Sequence, residues 1–173
     1  MKITSLRSLS LALLLAVTGS LFAQPANDDC SGAVELFPSN TCNPIDGDVG
    51  GTTQSVPAIW CDGWTGVADD DVWYKFTATE TTLAIQLGIS GDWDPVIDIR
   101  SGGCDGTNID CVNGTYKLMT GLNIGETYYV RIYHWEATLP SNTAFTICLL
   151  DGLIPPPNDD CSGAIELIPS LDC

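Results

Sequence analysis

The stretch DVWYKFTATETTLAIQLGI, residues 71–89, alternates apolar and polar side chains with a period of two. In its first half Val72, Tyr74 and Phe76 share one face while Trp73, Lys75 and Thr77 share the other, which is the spacing of a strand and not of a helix. TLAIQLGI (82–89) alternates likewise, and the ATETT between the two runs is short enough to predict a β-hairpin. Working outward, the same pattern predicts strands at 95–100, 115–120, 127–133 and 143–150, with weaker ones near 33–37 and 48–55. Helical periodicity is scarce, and Gly, Pro, Asn and Asp clusters punctuate the runs. The fold class is therefore all-β: a jelly-roll-like two-sheet sandwich of about eight strands.

Lys2 and Arg7 precede an apolar run, Leu9 to Val17, that is too short to span a bilayer, and Ala23 closes the stretch. Residues 1–23 read as a secretory signal peptide, which implies a secreted or cell-surface protein without membrane insertion. Export makes disulfides the default reading of the eight cysteines. Zinc is a poor alternative, because there is no CxxC and His134 is the sole histidine. Cys30, Cys42, Cys61, Cys104, Cys111 and Cys148 allow fifteen pairings, of which we expect Cys104–Cys111, Cys42–Cys61 and Cys30–Cys148. With 22 acidic residues against six basic ones, the chain repels nucleic acid and anionic lipid.

PANDDCSGAVELFPSNTC (25–42) recurs as PPNDDCSGAIELIPSLDC (156–173). Between them, the prolines of DGLIPPPNDD cannot donate ladder hydrogen bonds and favour a stiff spacer. The expected organisation is one sandwich module over 24–150, a proline-rich linker over 151–157, and the opening of a second module over 158–173. Such units behave as beads, each with its own core, and the neighbouring repeat modules are its natural partners.

Taken in order, PxNDDC, the AVEL strand, DDDVWYKFTAT, the SGGCDG turn, GETYYVRIY and FTICL resemble the bacterial pre-peptidase C-terminal domain. The likeness is to the cysteine-containing version repeated in exported proteins of Bacteroidetes-type bacteria. More distantly the chain is similar to clostridial collagen-binding domains. The resemblance implies a small β-sandwich that is an accessory and not a catalyst. It also implies calcium, with Asn27 and Asp28 matching linker ligands and Asp69 and Asp71 the loop partners. Two acidic clusters brought together would supply the oxygens such a cation needs; the alternative is a capped turn and a solvated triplet.

In TYYVRIYHW (127–135), Tyr128, Val130 and Ile132 face the core, turning Tyr129, Arg131, Tyr133 and Trp135 outward. Tyr129, Tyr133 and Trp135 would then form a stacking platform for polysaccharide or an extracellular protein, unless a second sheet or a neighbouring module covers them. Tyr133 and Trp135 also match exposed aromatics of the collagen-binding relatives. Trp60, Trp64 and Trp93 fall in loops and could extend the surface. Catalysis finds no support: G-x-S-x-G and HExxH are absent, and Asp92 and Asp94 read as turn formers. The chain reads as a non-enzymatic binding or spacing module, with the accessory region of an exported peptidase or other hydrolase as the alternative.

Overall fold

The computed structural model describes residues 24–152. The expected signal peptide, most of the linker, and the second-module opening with Cys161 and Cys173 lie outside the described residues. After a 3₁₀ turn at Cys30–Gly32 the strands run β1 (Val34–Glu35), β2 (Ile45–Asp48), β3 (Trp60–Cys61), β4 (Trp64–Thr65), β5 (Val72–Thr77) and β6 (Thr82–Ile89). They continue as β7 (Pro95–Ser101), β8 (Thr107–Asn113), β9 (Tyr116–Thr120), β10 (Thr127–His134) and β11 (Ala144–Asp151). One sheet has the order β1-β5-β10-β7-β8 and the other β2-β11-β6-β9, with β3 and β4 forming a separate small hairpin. The all-β, disulfide-stapled sandwich expected from the alternation is present.

The expected hairpin over 71–89 is not. β5 pairs with β1 and β10, whereas β6 pairs with β11 and β9, so ATETT carries the chain from one sheet to the other. The local reason is that the end of β5 is already engaged. The Ala78 amide donates to the Glu126 carbonyl (2.9 Å), and the Gly125 amide donates back to the Ala78 carbonyl (2.8 Å). The loop entering β10 occupies the ladder position that a returning β6 would need. Two further elements went unread, β8 and the β3–β4 hairpin, and β2 begins and ends earlier than the 48–55 run.

Between the sheets the inward sets interlock. Val72, Tyr74 and Phe76 of β5, Ile97 and Ile99 of β7, and Tyr128, Val130 and Ile132 of β10 meet Leu83, Ile85, Leu87, Phe145, Ile147 and Leu149. Phe76 stacks on Tyr128 with ring centroids 5.5 Å apart. Each such side chain contributes about 1.5–3 kcal/mol on leaving water.

The disulfide pairing differs from expectation in every pair: Cys30–Cys104, Cys42–Cys148 and Cys61–Cys111, with Cα separations of 6.1, 5.4 and 5.9 Å. Cys111 lies inside β8, whose extended run carries it away from Cys104 in the preceding turn. Each bond instead ties a peripheral segment to a sheet. Cys30 anchors the N-terminal turn, Cys42 the strip beside β11, and Cys61 the β3–β4 hairpin to β8.

Candidate functional site

At one end of the sandwich the β6–β7 and β10–β11 loops enclose a cleft of about 650 Å³, lined by Asp92, Trp93, Asp94, His134, Glu136, Thr138, Leu139 and Pro140. The loops are fixed by main-chain pairing: the Trp135 amide donates to the Asp94 carbonyl at 2.9 Å, and the Asp94 amide donates to His134 Nδ1 at 3.1 Å. Nδ1 also lies 3.2 Å from the Asp94 carbonyl, so the Asp94 main chain fixes the ring's position. Trp93 forms the floor, its ring 5.4 Å from Phe145 and 6.4 Å from His134. Asp92, Asp94, Glu136 and Thr138 are exposed. The cleft thus combines carboxylate and hydroxyl groups, an imidazole and an apolar floor.

Beside this cleft stands the β3–β4 hairpin, with Cys61 paired to Trp64 across Asp62-Gly63. Both turn residues have positive φ, 49° and 93°, as a two-residue primed turn requires, and glycine meets that requirement without strain at the second position. The hairpin is pinned to β8 by the Cys61–Cys111 disulfide and by the Asn113 amide donating to Asp62 Oδ2 at 2.7 Å. Asn113 Nδ2 in turn donates to Asp94 Oδ2 at 3.4 Å, so the hairpin and the cleft adjoin. Trp60 and Trp64 stay 70% and 71% exposed, side chains that would ordinarily be buried.

The aromatic platform expected on β10 is corrected. Tyr128, Val130 and Ile132 do face the core, and the alternate set does face away from it, but that outer face is itself an interior. The segment between β2 and β5 lies across it, so Arg131 and Tyr133 are fully buried, and Tyr129 and Trp135 half-buried. Arg131 donates to Asp71 (2.6 and 2.9 Å) and to the carbonyls of Val56 and Pro57 (2.5 and 3.0 Å). Its guanidinium lies 4.8 Å from the Tyr133 ring centroid. Tyr133 packs with Cys61, Ala68 and Val96, and burial, followed by the Asp98 charge, pushes its hydroxyl up to about 12. Trp135 packs against the same cluster, and its carbonyl accepts from the Val67 amide at 2.9 Å. Tyr129 lines a different hollow, with Lys75 and the Cys30–Cys104 bond. The three residues do not form one surface.

The residues expected to hold calcium are placed otherwise as well. Asp28 accepts from the Thr53 amide (2.7 Å) and hydroxyl (3.0 Å), and Asn27 Nδ2 donates to the Trp73 carbonyl (3.1 Å). Asp71 accepts from the Ser55 amide and hydroxyl, the Trp73 indole and Arg131. Asp69 is exposed. Asp28 and Asp71 thus face protein donors, and among the described residues no group of three or more His, Cys, Asp or Glu side chains is placed to hold a metal. The four residues are not gathered into one such group. Between them sits Asp70, 3% exposed, neither of whose oxygens has a hydrogen-bond partner among the described residues. Burial, reinforced by the Asp69 charge, raises its carboxyl to about 7.

A two-sheet sandwich whose loop end gathers hydrogen-bonding groups beside exposed indoles has the make-up of a binding domain. The model of the family described as galactose binding domain-like, a type associated with the type IX secretion system, matches residues 26–147. The chain belongs to that family. Together with the three disulfides, this marks an extracellular or surface protein. No curated protein matches significantly. Among solved structures, a periplasmic inhibitor of g-type lysozyme from Aeromonas hydrophila, PliG, is 13% identical with a TM-score of 0.42, over 68% of this chain and 95% of that one. CsCBM6-3 from Clostridium stercorarium, solved with cellobiose, is 12% identical with a TM-score of 0.29, over 69% of this chain and 98% of that one. Among the described residues no helix is long and apolar enough to cross a membrane.

The sequence named Trp60, Trp64, Trp93, Asp92, Asp94 and His134 but did not assemble them. The available signal was WCDGW itself: Asp-Gly between two short β-prone dipeptides is a hairpin signature that places both indoles at a tip.

Proposed function

We propose that the chain is a non-catalytic glycan-binding module of a secreted or cell-surface protein, and that it grips polysaccharide at the loop end of the sandwich. The observation that carries this reading is the continuity of the exposed Trp60–Trp64 hairpin with the Asp94, Glu136 and His134 cleft, on a galactose-binding-domain-like fold. Sugars offer hydroxyl edges and apolar faces, and such a surface meets both, with carboxylates accepting from hydroxyls and indoles covering C–H faces. His134 is held by the Asp94 main chain, and no described Ser, Thr or Cys hydrogen bonds to it, which gives nucleophilic chemistry no starting point.

The motifs that resemble the pre-peptidase C-terminal domain support a related role: the module would hold an exported peptidase or other hydrolase on its substrate. Either way the test is direct. The full chain is run through native gels cast with galactan, xylan, mannan or mixed-linkage glucan, and at least one of these should retard it. Asp94→Ala with Glu136→Ala should abolish the retardation with an unchanged melting midpoint. Free migration in all four gels would refute the reading.

A further inference from the structure

Resting on that reading, we infer that the site takes an uncharged glycan chain several sugars long, running from the cleft onto the hairpin, and not a single terminal sugar. Length follows from the hairpin lying beside the cleft and not within it. Trp60 pairs with Thr65 and Trp64 with Cys61, so the two rings leave the ribbon from successive pairs of opposite facing. A sugar held among Asp94, Glu136 and His134 leaves the adjoining hairpin to a further sugar of the same chain, which stacks on one ring. The Cys61–Cys111 bond and the Asp62–Asn113 contact hold the hairpin in place before any ligand arrives, so binding does not carry the cost of ordering it.

Charge follows from where the cations are. The described residues hold four Lys and Arg side chains, each matched to a carboxylate, and none lines the cleft: Lys75 to Glu35, Arg100 to Asp98, Lys117 to Asp110 and Arg131 to Asp71. The cleft meanwhile presents Asp92, Asp94 and Glu136. Uronate or sulfate groups would face like charge with no compensating cation, whereas hydroxyls would find acceptors.

The experiment is calorimetric titration of the full chain with the monosaccharides and the hexasaccharides of galactan, xylan, mannan and mixed-linkage glucan, with oligogalacturonate as the charged arm. For at least one polymer the hexasaccharide should bind at least about tenfold more tightly than its monosaccharide, the scale of one or two aromatic anchors. Trp60→Ala with Trp64→Ala should bring hexasaccharide affinity to within about threefold of the monosaccharide. Exposed indoles are not core, and an unchanged melting midpoint will verify that the variant folds. Equal affinity at both lengths, or a double variant that retains the length dependence, would overturn this inference while leaving glycan binding intact. Tighter binding of oligogalacturonate at low salt would overturn its charge argument. An absence of binding at every length would remove the glycan reading itself, and this inference with it.

Discussion

The two sheets of the sandwich each have an outer face, and the two are built in opposite ways. On the β1-β5-β10-β7-β8 sheet the outward row Trp73, Arg131 and Asp98 is fully buried beneath the segment that links β2 to β5. On the other sheet the outward set is small and apolar, Ala84, Cys148 and Leu150 with Leu118 beside them, and Gln86 stays exposed. The first face is a second interior organised by charge, and the second is a thin strip closed by the Cys42–Cys148 bond. Alternation along a strand tells which residues share a face, but not whether that face meets water. The ion pairs decide the matter here. Arg131 reaches the Val56 and Pro57 carbonyls and Asp71 the Ser55 amide, so the polar groups register the covering segment to the sheet.

The largest way to break this contrast is Arg131→Ala. Removing one partner leaves Asp71 buried without its cation, and it should cost about 3–5 kcal/mol in a urea titration. Gln86→Ala on the opposite face should stay within about 0.5 kcal/mol. If the two variants melt alike, the covering segment is not held by charge.

Disulfides sharpen the comparison next. Replacing Cys61 and Cys111 by Ser, or Cys42 and Cys148 by Ser, should each cost about 2–5 kcal/mol, since both bonds close long loops. Only the first pair should also lose retardation in polysaccharide gels, because only it presents the indoles. Equal loss of retention in both would separate the hairpin from binding.

A smaller effect, and one of opposite sign, is expected at Asp70. Its carboxyl is raised from 3.8 to about 7, so between those values the folded state holds a proton that the unfolded chain has released. Stability from this group therefore falls as pH rises from about 4 to about 7 and is flat above. Asp70→Asn should raise the melting midpoint at pH 8, with the gain shrinking on acidification and gone near pH 4. A pH-independent difference would show that the carboxyl does not titrate in this range.

The smallest effect concerns calcium. With Asp28 and Asp71 already accepting from protein donors, melting midpoints in calcium and in chelator should coincide. A higher midpoint in calcium would mean that these carboxylates reorient around the ion.

What was legible in the chain was the half of each strand that faces the common core. Val72, Tyr74 and Phe76, and likewise Tyr128, Val130 and Ile132, were assigned from spacing alone and lie where spacing put them. Partnering was not legible, because ATETT has the length of a turn whether it joins neighbours or crosses between sheets. TNIDCVN went unread because it is an edge strand, half-buried, with few strongly apolar residues. The disulfides failed for a related reason: all three join residues 50 to 106 positions apart, and only the assembled topology brings those together. The cleft drew on two loops separated by four strands, which no local pattern links.

The Cys42–Cys148 bond has a mechanical meaning. It closes a covalent ring around β2 to β10 and most of the core, and just outside it Ser39 and Asp151 lie side by side, the Asp151 amide donating to the Ser39 carbonyl at 3.0 Å. A pull applied at Ser39 and Asp151 enters and leaves at nearly the same point. The chain ahead of the ring is held separately by the Cys30–Cys104 bond, so the load meets sulfur bridges before it can unzip the long strands. Tugged by flow or by a moving cell, the sandwich would be hauled along without being stretched, and the loop end would keep its shape under tension that unravels an unstapled domain.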